Sequence, residues 1–392
     1  MKSFRNYFTC TLLCVFFNIQ LSVSQTLSDS AKISLLTCNP GTELYSVFGH
    51  SAIRVNDPVN HIDWVYNYGT FTFSQPGFYV KFVRGYLNYQ LSVYLTRDFM
   101  LEYTQENRSV YEQELNLTQQ QKEKVFRFIE VNRLPENKYY LYDFFFDNCA
   151  TRIRDVFQNE LRDSIRFDNE NYRSETFRQM IRPYLEPHPW SRFGINLVLG
   201  AVADREANIN ESMFLPDYMN IAFDNAKILS QGNEIPLVSA SNTLFEQQKT
   251  KPEPSFMKGP GYFFTGVFII ILIFTYVEMR NNSYYKLIDF LVFITIGFLG
   301  LILFLLWTAT DHTATVKNWN LMWAFPGHLV LAFFVFRKAK STFLKYYFLI
   351  TGICAFAVLP LWGILPQRFD TAFIPIILIV SLRSYQMFRF HR

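Results

Sequence analysis

Five apolar segments crowd the last third of the chain, and they restrict its possible folds more than any other feature. Following a Pro- and Lys-containing linker, Thr250 to Pro260, they run at about Tyr262 to Val277, Leu287 to Trp307, Leu321 to Phe336, Tyr346 to Leu365 and Thr371 to Leu382. A bilayer core of about 30 Å takes ~20 helical residues to cross, so residues 258–392 are expected to form an all-α bundle of about five transmembrane helices. The first, third and last segments are short enough for one of them to be re-entrant. Loop charge argues for full crossing. Arg280 and Lys286, then Arg337, Lys338, Lys340 and Lys345, then Arg383, Arg389 and Arg392 fall on one side, whereas the alternate loops carry only Lys317 and Arg368. The basic side is cytoplasmic by the positive-inside rule. Asp311, His312, Asn318, Asn320 and His328 then share the side of the soluble domain.

The other end of the chain agrees. Lys2 and Arg5 precede an apolar run from Tyr7 to Ile19, and Ser22 and Ser24 stand at the minus-three and minus-one positions before Gln25. Residues 1–24 therefore read as a signal peptide, the run being shorter than a retained anchor helix needs. Cys10 and Cys14 lie inside that run, neither after a small residue, so the protein is not itself expected to be a lipoprotein. The expected product is a multi-pass protein of the bacterial inner membrane with its N-terminal domain in the periplasm. A net charge of +4, dispersed along the chain, gives no reason to expect nucleic acid as a partner. The 42 Phe and 23 Tyr suit work against apolar chains or at a membrane interface.

The soluble part reads as α+β. Ile33 to Thr37, His50 to Val55 and Ile62 to Tyr68 alternate as strands of one sheet, separated by Asn39-Pro40-Gly41 and Asn56-Asp57-Pro58. Thr118 and Gln121 form a capping box opening a helix through Val125, Phe128 and Ile129. A second helix is expected from Asn148 or Cys149 through Ile153, Val156, Phe157 and Leu161, and residues 163–223 look mainly helical. A catalytic domain over 25–160 and a mainly helical periplasmic extension over 161–257 are the expected divisions.

Three cysteines remain after processing, and Cys354 falls in an apolar membrane segment. An oxidising compartment favours a Cys38 to Cys149 disulfide, so a free thiol there needs a chemical reason to persist. Cys149 supplies one. It sits where the aromatic stretch Tyr139 to Phe146 meets the start of a helix, where unpaired N–H groups and the helix dipole favour thiolate. Asp147 opposes this unless it points away, so a second activating group is needed. His50, at a strand start after Gly49, is the candidate base. Asp63 and Asn67 share parity on the next strand, so either could orient the imidazole. Cys38, ahead of a Pro-Gly turn with no helix start beside it, is the alternative nucleophile. His312 and His328 with Asp311 lack a ligand spacing, so no metal is expected. His312, Asn318, Asn320 and His328 are expected instead to bind a lipid headgroup or the incoming amine, as polar groups in membrane segments usually mark function.

Ser34 to Gly41, Phe48 to Arg54, Tyr66 to Phe71 and Phe146 to Arg152, with Asn318-Trp319-Asn320 and Pro326-Gly327-His328-Leu329, together resemble the Lnb-type lipoprotein N-acyltransferase family of Bacteroidota. The likeness covers nearly the whole mature chain. The order of His strand before Cys helix also resembles circularly permuted papain-like folds, among them the lecithin:retinol acyltransferase and permuted peptidoglycan-peptidase groups. The resemblance implies that Cys149, with His50 as base, takes an acyl chain from a membrane phospholipid and passes it as a thioester to the α-amino group of diacylated lipoproteins, with no cofactor. Two other classes stay open at this point: a periplasmic cysteine peptidase or amidase acting on peptidoglycan, and a non-enzymatic envelope scaffold closed by a Cys38 to Cys149 disulfide.

Overall fold

The computed structural model describes residues 26–72, 74, 76–167, 172–248, 259–337 and 340–391; the expected signal peptide and most of the linker lie outside the described residues. Seven strands form one antiparallel sheet: β1 (Lys32–Cys38), β2 (His50–Asp57), β3 (Ile62–Thr70), β4 (Asn88–Leu95), β5 (Val110–Leu115), β6 (Tyr139–Leu141) and β10 (Val238–Phe245). Their order across the sheet is β10-β5-β1-β2-β3-β4-β6. A smaller sheet holds β7 (Ile165–Arg166), β8 (Lys227–Ser230) and β9 (Asn233–Pro236). The three strands expected from sequence are therefore consecutive neighbours at the centre. β10 comes from beyond residue 161 yet pairs with β5, so the chain returns to the first sheet after its helical stretch.

The central strands are apolar on both faces because both are covered. Helix α1 spans Phe78–Arg84, α2 Thr96–Gln105, α3 Gln119–Asn132 and α4 Cys149–Leu161. Leu35, Ile53 and Tyr66 pack with Val125, Ile129, Ile153 and Phe157 of α3 and α4. Their neighbours of opposite parity, Leu36, Ala52 and Val65, pack with Phe99 and Tyr103 of α2. Each large side chain so buried stabilises the fold by roughly 1.5–3 kcal/mol. Thr118 and Gln121 close a reciprocal cap on α3. The following stretch is mainly helical, with α5 (Phe177–Leu185), α6 (Pro189–Val198), α7 (Ile209–Ser212) and α8 (Pro216–Asn225).

In the C-terminal part, α9 (Pro260–Asn281), α10 (Lys286–Thr308) and α13 (Phe373–Phe390) are long and apolar enough to cross a membrane. The fourth apolar segment forms a shorter helix, α12 (Thr342–Ala357), followed by turns. The third is not one helix. It comprises a 3-10 turn at Trp319–Met322, a one-turn helix α11 (His328–Leu331) and a further 3-10 stretch at Ala332–Phe336. Pro326 and Gly327 break its hydrogen-bond ladder. Close packing holds the broken segment: a Cβ on Gly297 would lie 2.0 Å from Leu329 N, and one on Gly300 2.0 Å from Ala324 O. The last helix runs past the expected Leu382, so Arg383 is buried rather than a tail charge. Its guanidinium donates to Glu278 of α9 at 2.5 and 3.2 Å, to Asp289 of α10 at 2.6 and 3.0 Å and to Thr275 at 2.8 Å.

The two parts are joined through residues 196–201. Asn318 Nδ2 donates to Leu197 O at 2.8 Å and Asn320 Nδ2 to the same oxygen at 3.1 Å. Gln367 Nε2 donates to Leu199 O at 3.2 Å, and Gly200 N to Ala314 O at 2.9 Å. A Cβ on Gly200 would sit 1.9 Å from Val316 O, so only glycine fits that contact.

Candidate functional site

Asn148 sets the thiol in place. Its Oδ1 accepts from Ala150 N and Thr151 N, both at 2.9 Å, while Thr151 Oγ1 accepts from Asn148 N at 2.7 Å. This reciprocal cap makes Cys149 the first residue of α4. Asn148 Nδ2 donates to Phe144 O and Phe214 O at 2.8 and 2.9 Å, fixing the cap to its surroundings. Asp147 does not oppose the thiol as the sequence alone would allow: both its carboxylate oxygens are held by the Arg152 guanidinium.

His50 opens β2 behind Gly49, whose φ of 77° a side chain would strain and whose added Cβ would meet Cys38 O at 2.8 Å. The ring Nε2 lies 2.6 Å from Asn67 Oδ1. Since an amide oxygen only accepts, Nε2 carries the proton and Nδ1 is left for a second partner, with Cys149 near enough to act on the ring's charge. Gly69 leaves the space between them clear; a Cβ there would stand 3.3 Å from Cys149 Cβ, 3.9 Å from His50 Cε1 and 3.8 Å from Tyr140 Oη.

Charge is stabilised on both partners. Burial by itself would push the Cys149 thiol up, but the facing His50 charge and hydrogen bond, with the Ser51 and Ala150 N–H groups, hold it below its ordinary value. Burial would likewise push His50 down, and the attraction of Cys149 with the hydrogen bonds to Cys149 and Asn67 raises it instead. Each group thus favours the charged form of the other. Both residues remain half-buried, so the pair is open on one side. Around it stand Tyr89, Tyr140 and Tyr142, with Tyr89 and Tyr142 stacked at 4.3 Å and the buried Tyr140 hydroxyl without a partner.

Other sequence-predicted residues lie elsewhere. Asp63 is not beside the imidazole: its carboxylate accepts from Arg54 at 2.8 and 3.0 Å and from Thr96 Oγ1 at 2.6 Å. Cys38 is fully buried opposite His50 in the β1–β2 register, and burial pushes its thiol up to about 12 despite a hydrogen bond with Tyr103. It is a poor source of thiolate. Cys38 and Cys149 are both free. Asn318 and Asn320 do not line a cleft; they are buried in the joint just described, and Asn320 Oδ1 also accepts from Trp323 Nε1 at 3.0 Å. His328 is buried with Tyr347 Oη 2.9 Å from its Nδ1, and His312 Nε2 lies 3.0 Å from Phe82 O of α1. These two histidines are separate, and no three His, Cys, Asp or Glu side chains converge as metal ligands among the described residues.

Sequence reasoning did not single out Tyr89, Tyr140 and Tyr142. The aromatic stretch Tyr139 to Phe146 was the signal for two of them, but strand pairing of β4 with β6 was needed to bring Tyr89 opposite Tyr140.

The model of the Lnb N-terminal periplasmic domain matches residues 23–183, and that of the Lnb transmembrane domain matches residues 251–392. No curated protein and no solved structure matches the chain.

Proposed function

We propose, from the premise that this chain belongs to the Lnb family and is a membrane protein with a periplasmic domain, that it is a lipoprotein N-acyltransferase of the bacterial inner membrane. The observation that carries the reading is the half-buried Cys149 thiol, held below its ordinary pKa by His50 at a capped helix start, in a domain joined to a membrane bundle.

In the first half-reaction the Cys149 thiolate attacks the acyl carbonyl of a phospholipid ester. The ester bond between the acyl carbon and the glycerol oxygen then breaks, that oxygen takes the proton from His50, and a lysophospholipid leaves. The second half-reaction starts from the thioester. The α-amino group of a diacylglyceryl-cysteine lipoprotein attacks the same carbonyl carbon, His50 takes the amine proton, the C–S bond breaks, and thiolate is restored. One base thus serves both an oxygen leaving group and an amine nucleophile. Asn67 holds the imidazole with Nδ1 toward the sulfur, a positioning role.

Mass spectrometry of lipoprotein N-terminal peptides, from cells with and without this protein, tests the reading. The expected result is a free α-amine on diacylated lipoproteins when the protein is absent and an N-acyl group when it is present. Unchanged N-termini would overturn it.

A further inference from the structure

Helix α1 carries an exposed apolar surface on the soluble part. On seven residues it exposes Tyr79 (77%), Val80 (65%), Phe82 (52%) and Val83 (55%), beside the basic Lys81 and Arg84 and with no carboxylate of its own. A patch of that kind, left open on a soluble domain, marks a binding surface. Its height is fixed by the membrane part. Asp311 N donates to Arg84 O at 3.0 Å, and His312 Nε2 lies 3.0 Å from Phe82 O. Asp311 and His312 follow directly on the end of α10 at Thr308, and Trp307 and Trp319 stand exposed on either side of that loop. Exposed tryptophans at the end of a spanning helix mark the boundary between lipid and water. The exposed face of α1 is therefore held at that boundary, where apolar side chains enter lipid and Lys and Arg reach the phosphates.

A file of rings leads inward from the same helix. Phe82 and Phe78 are 6.2 Å apart between centroids, Phe78 and Phe71 6.0 Å, Phe71 and Tyr89 5.0 Å, and Tyr89 stacks on Tyr142 beside Cys149. We propose that α1 is a membrane-seated entry element, which rests in the periplasmic leaflet of the bilayer and passes a phospholipid acyl chain along this aromatic file to the Cys149 thiol. Seating in the leaflet stands on the geometry alone, whereas delivery to the thiol rests on the acyl-transfer reading above.

The test uses the full chain in vesicles of phosphatidylethanolamine and phosphatidylglycerol, with the photoreactive residue p-benzoylphenylalanine replacing Tyr79 or Val83. Val59 on the β2–β3 turn, at 65% between the two in exposure, is the aqueous control. Irradiation should join lipid to positions 79 and 83 well above the yield at 59, and to the same extent in a Cys149→Ala background. Lipid yields no higher than at position 59 would overturn the seating. For delivery, Val80→Ser with Val83→Ser should slow phospholipid-derived thioester formation on Cys149 by at least about tenfold, since two apolar side chains are withdrawn from lipid. Iodoacetamide alkylation of Cys149, at its original rate, shows that the variant is folded. Thioester formation undiminished by the pair of substitutions would overturn the entry role. Failure of the unsubstituted chain to form any thioester would count against the acyl-transfer reading, while the crosslinks would still decide the seating.

Discussion

Two sets of buried polar side chains stand in the two parts of this molecule, and they are finished differently. Around Arg383 every N–H of the guanidinium has an acceptor, all four participating side chains are fully or almost fully buried, and three helices are tied together. Around Cys149 the cap, the imidazole and the amide are equally well determined, yet the thiol and the ring stay half-open and the Tyr140 hydroxyl is unpartnered. A saturated cluster holds its helices in place and offers nothing to a ligand. An unsaturated one of similar construction keeps the valence that a substrate can use.

Substitution should separate the two. Cys149→Ala is expected to have the largest effect on activity, bringing N-acylation down to background, on the order of 10³-fold or more, with normal abundance by immunoblot. The doubly substituted Cys149→Ala/His50→Ala protein should be scarcely worse, because the residues act as a unit. Full N-acylation by a well-expressed Cys149→Ala protein would end the thioester mechanism. Arg383→Met should do the converse, lowering stability by about 3–5 kcal/mol because two carboxylates are left buried without a counter-charge. Thermal unfolding in detergent measures it, and a melting temperature unchanged by the substitution would show that the cluster is dispensable.

Smaller effects sharpen the contrast. With the thiol held below its ordinary value, iodoacetamide should alkylate Cys149 at a lower pH than it does an unperturbed thiol. The rate should fall on acidification as the thiolate takes up its proton. His50→Ala removes the counter-charge, so the fall should move to higher pH. A profile unmoved by His50→Ala would remove the ion pair from the mechanism. Asn67→Ala, which frees the ring to turn, should cost about tenfold in turnover with little change in abundance, part of the general acid–base contribution. Cys38→Ser should change least, by about 1 kcal/mol or less in stability, with activity near that of the unsubstituted protein. Loss of activity in Cys38→Ser at normal abundance would move attention back to the buried thiol.

The local parts of the site were readable in sequence because they depend on local chemistry. Asn148 ahead of Cys149, with Thr151 three residues on, is a cap whose geometry follows from the helix itself, and the parity of Ile33, Ile53 and Tyr66 gives strand faces directly. What escaped depended on long-range placement. Asp63 and Asn67 share parity, which with a slight preference for Asn67 leaves both open until Arg54, one strand away, is seen to take the carboxylate. Asn318 and Asn320 resembled ligand-binding groups because buried amides need partners, and the sequence does not tell that Leu197 supplies the oxygen. The fourth and fifth apolar segments were visible from hydropathy, but burial of Arg383 required Glu278 and Asp289 on two other helices.

The contact between Gly200 and the backbone of Val316 has a consequence for how reactants meet. That contact, with the hydrogen bonds of Asn318, Asn320 and Gln367 to the same stretch, ties the soluble domain to the membrane part and so sets the level of the thiol relative to the bilayer. Molecules anchored in that bilayer then reach it by lateral diffusion in two dimensions, and confinement to a thin layer gives each of them a high effective concentration at that level. A reactant free in the surrounding water has no such advantage, whatever its intrinsic fit to the site.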